Sequence, residues 1–423
     1  MLDISFIRDN VDLINTNSKN RGSLIDIEAF LKIDQERVDL IKKVDSLRSK
    51  KNQVKGKPTK AELVALTKNK LEEESLRASL TKIESKYFDL LMQIPNITHP
   101  DVKISNNEDD NPVLECKHKP KKFNFEPKDH VYIGKDLDLI DFERASKVSG
   151  SKFFFLKNEA ALLEIALTQY AIKIAIKHGF TPFITPDLAK KEILNAMGYS
   201  PRGESTQVYS VENTDLCLIG TSEIAMGGYH KDEVFSINDL PKKYVSLSHC
   251  FRTEAGSYSK FSKGIFRVHQ FTKVEMFIYT TPDKSESAHH EILEIEKEIF
   301  DGLEIPYRVI DHCTADLGSP AYRTYDLEAW MPGKPNKDGS MGDWAEITSA
   351  SNCTDYQARA LNIKYIETDG SKKLVHMLNG TTLAVTRPII AILENNQQKD
   401  GSVIVPKILQ EALGKKIIQK GRE

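Results

Sequence analysis

The chain has 423 residues, a formal net charge of −2 and 40% hydrophobic residues, enough for more than one domain with a buried core. That near-balance of charge neither demands nor excludes a nucleic-acid partner, and no apolar run approaches the roughly 20 residues that cross a bilayer. The N-terminal MLDISFIRDN is acidic where a secretory or organellar presequence would be basic, so a cytoplasmic enzyme is the natural expectation. Cys116, Cys217, Cys250, Cys313 and Cys353 are odd in number, widely spaced and without a CxxC pair, which predicts free thiols.

The first hundred residues, rich in Lys, Glu, Leu and Ile, read as helix. Ile33, Leu40, Val44, Leu47 and Val54 form one apolar register, and Leu66, Leu76, Leu80, Ile83, Tyr87, Leu90 and Ile94 a second, both at heptad spacing. Gly56 and Pro58 between them break helix and permit reversal, which predicts a long antiparallel hairpin closed at its base by Pro95 and followed by the acidic linker NNEDDNP. Such a hairpin serves dimerisation or spacing as readily as binding. From residue 37 to 60, however, nine basic residues face only Asp39 and Asp45. Charges spread along a projecting rod suit the spaced phosphates of a folded RNA, and Lys42, Lys43, Arg48, Lys50, Lys51, Lys55 and Lys57 are the candidate contacts. A solvated charged face accounts for the same residues.

From about residue 112 short β-rich runs alternate with helices without βαβ regularity, which predicts an α+β domain on an antiparallel sheet flanked by helices. No GxxxxGK[ST] or GxGxxG loop is present, so a nucleotide would bind by another route. ALLEIALTQYAIKIAIKHGF is apolar on most helical faces and belongs in a core or an interface, and TPFITP after it reads as strand. Further on, FRTE and RVHQFTKVE read as two strands of a hairpin around a polar loop. Alternation then aims Arg267, His269, Phe271, Lys273 and Glu275 one way. A ring, arginines and carboxylates on one face can meet a nucleobase, phosphates and amino groups, although a cross-strand ladder on a solvent-facing sheet has the same composition. Near the end, TTLAVTRPIIAILENNQ joins strand to helix around Arg387, which needs an anion or acidic partner if buried.

FRTEAGSYSKFSKGIFRVHQFTKVEMF resembles motif 2 of the class II aminoacyl-tRNA synthetases, and its FRTEAG and RVHQF.KVE forms are similar to those of the seryl-tRNA synthetases in particular. GTSE at Gly220 to Glu223 resembles the serine-binding TxE element of that family, and CTADLGSPAYRTYDLEAW and EITSASNCTDYQARALNIKY resemble two further blocks. NGTTLAVTRPIIAILENNQ looks like motif 3, and Pro186 stands where motif 1 places a dimer-interface proline. The resemblance covers nearly the whole chain. It implies an N-terminal tRNA-binding domain with a coiled-coil arm (1–108) and a class II catalytic domain (109–423).

It further implies a homodimer without membrane attachment that activates L-serine with ATP and Mg²⁺ and transfers it to tRNA(Ser), tRNA(Sec) being left open as a second acceptor. The arm would contact the long variable arm of a tRNA bound mainly to the other subunit. Carried over residue by residue, Arg252, Glu275 and Arg387 are the catalytic set. Thr221, Ser222, Glu223, Arg252, Glu275, Asn379 and Thr381 would hold serine. ATP would meet Arg252, Thr253, Glu254, Val268, Phe271, Glu346, Ile347, Thr348, Ser349 and Arg387, with Phe271 under adenine and Arg387 on the γ-phosphate. Glu346 and Ser349 are the Mg²⁺ ligands, as hard oxygen donors, and Lys260 and Lys263 of the motif 2 loop would meet the acceptor end. Ala315, Ser319, Pro320, Thr348 and the loop residues Tyr258 to Phe261 depart from the family pattern. A catalytically silent tRNA-binding relative and an amino acid:carrier-protein ligase are the alternatives.

Overall fold

A computed structural model describes residues 1–53, 59–199, 207–255 and 261–420. The chain divides into two compact units, Met1–Ile97 and Thr98–Glu423.

In the first unit, helices Ile4–Asp9 and Val11–Asn20 precede α1 (Ile27–Gln53) and α2 (Lys60–Leu91). At 1.5 Å per residue the two long helices run about 40 and 48 Å. Val44 and Leu47 of the expected register are buried, and Leu66, Leu76, Leu80 and Ile83 half-buried. The reversal at Gly56 and Pro58, with Val54, lies outside the described residues. At the base Phe30 stacks on Tyr87 with centroids 5.3 Å apart, and the Arg37 guanidinium lies 4.3 Å over the Tyr87 ring. Asp34, 1% exposed, accepts hydrogen bonds from Arg8 and Arg37. Two guanidinium groups thus compensate one buried carboxylate, an anchor that apolar spacing does not announce.

The second unit is built on an eight-stranded sheet. In chain order its strands and principal helices are β1 (Val113–Lys117), α3 (Asn158–Lys177), β2 (Thr181–Ile184), α4 (Ser222–Gly228), β3 (Lys242–Phe251), β4 (Gln270–Thr280), α5 (Ser285–Gly302), β5 (Tyr307–Asp311), β6 (Arg323–Pro335), β7 (Met341–Asn352), β8 (His376–Ala384) and α6 (Thr386–Asn395). The spatial order is β1-β5-β6-β7-β8-β4-β3-β2, antiparallel except where β2 runs parallel to β3. Its central strand QFTKVEMFIYT carries β-branched and aromatic residues because both of its faces are covered. Val274, Met276 and Ile278 join the main core with Leu163, Leu167 and Ala171 of α3, Ile292, Ile295 and Ile299 of α5 and Ile389 and Ile392 of α6. Phe277 and Tyr279 enter a second cluster with Met226, Phe235 and Tyr365. The sheet therefore separates a helix-packed core from a face that is partly open.

The expected hairpin differs in its length. The β3–β4 ladder ends at Phe251 opposite Gln270, so Thr253, Glu254, Arg267 and Val268 lie beyond it. Backbone pairing has turned elsewhere: the Thr253 amide donates to Gln207 and that of His269 to Lys152, and Glu254 has φ +53°. Among the irregularities that interrupt the ladders are two bulges beside this part of the sheet. One residue, Ile347, is extra in β7 opposite Leu327–Glu328, and one, Thr382, is extra in β8 opposite Val274–Glu275.

Helix α5 packs close under this part of the sheet. A Cβ on Gly380 would collide with Ile292 and come within 3.0 Å of Glu296 Oε1. Gly380→Ala is expected to lower unfolding free energy by about 1–3 kcal/mol through overpacking, measured by urea denaturation. Wild-type stability in that variant would mean that α5 yields freely.

Candidate functional site

Residues on the open face of the sheet line a cleft of about 400 Å³. From β4 come Phe271, Lys273 and Glu275, spaced by two as a strand face requires. Ser349 and Ser351 of β7 and Asn379 and Thr381 of β8 extend the floor. Strict alternation would aim Glu346 to the opposite face from Ser349, but the extra residue Ile347 shifts the phase and brings both into the cleft. Arg387 enters from the start of α6, Arg252 from the end of β3, and Tyr199 and Ser319–Pro320 from loops.

One end is a network around a buried carboxylate. Glu275, 2% exposed, accepts at Oε2 from the Thr221 hydroxyl, the Ser222 hydroxyl at 3.1 Å and the Glu223 amide at 3.0 Å. Its Oε1 lies 2.6 Å from Lys273 Nζ, which also reaches Thr221 Oγ1 at 3.3 Å. Burial alone would raise the Glu275 pKa, but Lys273, Thr221 and the Glu223 amide together hold it below the usual carboxylate range. Glu223 accepts from Tyr199 OH at 2.8 Å and Gln357 Nε2 at 2.7 Å. Burial, and then the charge of Glu275, push Glu223 up to about 7. Its two donors oppose that rise without cancelling it.

The other end presents cations on aromatic rings. Arg252 lies 5.4 Å over Phe271 and donates through Nε to Gly220 O, and Arg387 lies 4.8 Å over Phe266. Arg387 Nη1 meets Glu346 at both its carboxylate, 3.0 Å, and its carbonyl, 2.8 Å. Against the opposing effect of burial, Arg387, His312 and Arg252 hold the Glu346 carboxyl down to about 2. Its side chain is 45% exposed, so solvent screens part of that pairing. Behind it His312 Nε2 stands 2.9 Å from Asp326 and is pushed up to about 10, burial opposing and Asp326 prevailing.

Of the residues singled out in the sequence, Glu223, Arg252, Glu254, Val268, Phe271, Glu275, Glu346, Ile347, Ser349, Asn379, Thr381 and Arg387 converge on the cleft. Thr221, Ser222, Thr253 and Thr348 are not among its lining. Thr221 caps α4 beneath Glu275, and Thr348 donates to Glu296 in α5 at 2.6 Å on the opposite face. Lys263 pairs with Asp129, and Lys260, Lys55 and Lys57 lie outside the described residues. Lys42 and Lys43 are exposed, whereas Arg48 pairs with Glu73 of the facing helix at 3.3 Å. Pro186 is exposed beside Ile184. Sequence reasoning missed Tyr199, Phe266, Ser351 and Cys353 as lining residues, and gave Lys273 no role although alternation aims it with Phe271 and Glu275.

Among the described residues no three His, Cys, Asp or Glu side chains gather as a ready-made metal cage. An ion such as Mg²⁺ does not require one, since it keeps several waters and takes one or two carboxylates together with substrate phosphates. The ionised Glu346 and the Ser349 hydroxyl on the same wall fit that donor set.

Residues 1–98 match the seryl-tRNA synthetase N-terminal domain, and residues 207–396 the tRNA synthetase class II core domain of the G, H, P, S and T enzymes. The chain is 49% identical to a serine–tRNA ligase of Treponema denticola over 419 residues, covering 97% of this chain and 98% of the relative. It is 46% identical to one of Borrelia garinii over 423 residues, 98% of each. The crystal structure of seryl-tRNA synthetase from Pyrococcus horikoshii complexed with ATP superimposes with a TM-score of 0.87 at 38% identity, covering all of both chains. A cytoplasmic serine–tRNA ligase from Naegleria fowleri in complex with AMP gives 0.83 at 31%, covering 100% of this chain and 99% of that one.

The Glu346–Arg387 pairing sets a pH test. A depressed folded pKa contributes stability above the unfolded value, and that contribution is lost as pH falls toward about 2. Arg387→Met should raise the Glu346 pKa by at least about one unit, read from its carboxyl ¹³C resonance during acid titration. An unmoved titration would remove Arg387 as the cause.

Proposed function

The chain belongs to the seryl-tRNA synthetases, a class II aminoacyl-tRNA synthetase family, and on that premise we propose how its own residues divide the ligation of serine to tRNA. The reaction has two steps. The serine carboxylate attacks the α-phosphorus of ATP, forming a carboxyl–phosphate bond as pyrophosphate leaves. A terminal hydroxyl of the tRNA then attacks the activated carbonyl and releases AMP.

One observation carries the assignment: two arginines on aromatic rings and two buried carboxylates with separate donors face one cleft. The first step brings a carboxylate and a polyphosphate together, so positive charge fixed before binding lowers its barrier most. Arg252 bridges the serine carboxylate and the α-phosphate. Arg387 takes the γ-phosphate, exchanging Glu346 for it, while Glu346 and Ser349 would hold Mg²⁺, which would supply neutralisation of phosphate charge. Phe271 offers a ring face to adenine, with Glu254, Thr253 and Val268 at its edge and Ile347 and Thr348 contributing backbone. Glu223 and Glu275 receive the polar groups of serine beside Asn379 and Thr381, with Thr221 and Ser222 supporting Glu275 from below.

Lys42 and Lys43 are the exposed candidates for tRNA phosphates on the arm, with Lys50, Lys51, Lys55 and Lys57 in the same role, and Lys260 and Lys263 serve the acceptor end. tRNA(Ser) is the proposed acceptor, and tRNA(Sec) a second. The exposed Leu162 and Ile165 of α3, Ile184 of β2 and neighbouring Pro186 support a homodimer interface. The cytoplasm is the proposed place of work; no described helix is long and apolar enough to cross a membrane. The silent-relative and carrier-ligase readings are not favoured, since Arg252, Glu275 and Arg387 are all present in the cleft and the N-terminal domain is matched as well.

Serine-dependent exchange between pyrophosphate and ATP should be present in the wild type and fall on the order of 100-fold or more in Arg252→Ala. Exchange that is absent, or that proceeds equally with threonine or alanine, would sink the assignment. For the arm, Lys42→Glu with Lys43→Glu should raise the KM for tRNA(Ser) about tenfold and flatten its salt dependence, leaving exchange unchanged. Charging unaffected by the double reversal would remove these lysines from the tRNA interface.

A further inference from the structure

The C-terminal end of α6 closes on residues 128–130, which are not part of the cleft lining. Glu394, buried, accepts from the Gly333 amide of β6 at 2.7 Å through Oε2 and from the His130 amide at 2.9 Å through Oε1. The same Oε1 lies 2.8 Å from His130 Nδ1. His130, 1% exposed, begins a short helix, His130–Asp136, and its other ring nitrogen, Nε2, accepts from the Ile265 amide at 3.3 Å. A backbone N–H can only donate, so Nε2 carries no proton and the one on Nδ1 points at Glu394. On the loop side the fit is close. Gly264 has φ +60°, and a Cβ there would collide with His130 Nε2. Asp129 takes Lys263 on the other side of that glycine, and Gln397 exchanges two hydrogen bonds with the Lys128 backbone.

We propose that His130 is a positioning residue for the phosphate end of the cleft: by holding the Ile265 backbone it fixes Phe266 beneath Arg387. The path is short and closes on itself. Phe266 follows Ile265 in the chain, and Arg387 lies 4.8 Å over its ring. Arg387 and Glu394 stand two helical turns apart in α6 and so share a face. One helix thus carries the arginine at its start and, near its end, the carboxylate that sets the ring under that arginine through His130. Buried polar contacts are costly to leave half-made, which makes the place of the ring hard to shift. A guanidinium on a fixed ring meets a phosphate without first being ordered, so the effect falls on ATP. Serine binds at the other end, around Glu223 and Glu275, and is spared. The proposal rests on the reading that puts the γ-phosphate on Arg387.

Carboxamides separate the roles of the two ring nitrogens, because asparagine reaches as far as Nδ1 and glutamine as far as Nε2. In exchange assays on the full chain, His130→Asn keeps a donor for Glu394 and loses the acceptor for Ile265. It should raise the KM for ATP about tenfold and leave the KM for serine within about twofold. His130→Gln, which keeps the acceptor, should recover most of the ATP KM. In an Arg387→Met background, His130→Asn should change the ATP KM by less than about twofold, since the two act through one contact. An ATP KM unmoved by His130→Asn, equal losses in the Asn and Gln variants, or losses that add to those of Arg387→Met would overturn the proposal and make His130 a packing residue. Wild-type protein provides a measurement independent of variant folding. In ¹⁵N-histidine spectra His130, assigned by the signals lost in the variants, should carry its proton on Nδ1 with Nε2 bare. A protonated Nε2 would overturn the proposal as well. An Arg387→Met variant with the wild-type ATP KM would instead sink the placement of the γ-phosphate on Arg387, and the proposal with it.

Discussion

Opposite charges can be gathered in a small, partly buried cleft only if each is held by a partner until a substrate replaces that partner, and this constraint organises the site. Glu275 is held by Lys273, Glu346 by Arg387 and Glu254 by Arg267. The consequence is preorganisation without collapse. The rings under Arg252 and Arg387 keep both guanidinium groups packed, a planar stacking that a lysine at either place would not reproduce.

The backbone supports the same arrangement from behind. Thr348 turns away from the cleft to donate to Glu296, a carboxyl that burial raises well above its usual range. Gly380, lacking a Cβ, lets α5 lie against β8 at that level. The bulges at Ile347 and Thr382 flank this contact in neighbouring strands. A bulge re-aims a side chain only if its register cannot slip, and a helix packed hard against the inner face prevents slipping. The positions of Glu346 and Thr381 thus depend on residues that never face a ligand.

What could be seen in the sequence follows from how local its cause is. Heptad spacing exposed the arm because every contact in it repeats along two neighbouring helices, and Val44 and Leu47 are buried as that spacing requires. Period-two alternation placed Phe271, Lys273 and Glu275 on one face correctly, since it operates within a strand. It overran the ladder itself, which the backbone leaves at His269 and Thr253 to pair with Lys152 and Gln207, residues far away in the chain. Tyr199 and Phe266 reach the cleft through loops, and no periodic signal marks a loop residue. Glu223 and Glu346 were visible only through motif resemblance, whereas Arg252 in the hairpin and Arg387 beside an apolar run also stood out by their chemistry. Their convergence is a product of sheet order, in which strands separated by a hundred residues become neighbours.

A count of basic residues overstates the field that a partner meets, and the reason lies in the difference between the two cations. On the arm, Arg37 is spent on Asp34 and Tyr87, and Arg48 on Glu73, both contacts internal to the hairpin. Lys42 and Lys43 point to solvent. A guanidinium can satisfy a carboxylate and stack on a ring at once, so it is readily recruited to hold helices together. An ammonium on a flexible stem keeps its hydration and stays available to a phosphate. The division holds in the cleft in reverse, where the arginines stand in fixed positions over aromatic rings. Among the described lining residues lysine is buried once, at Lys273, where a compact charge binds two protein oxygens, Glu275 Oε1 and Thr221 Oγ1.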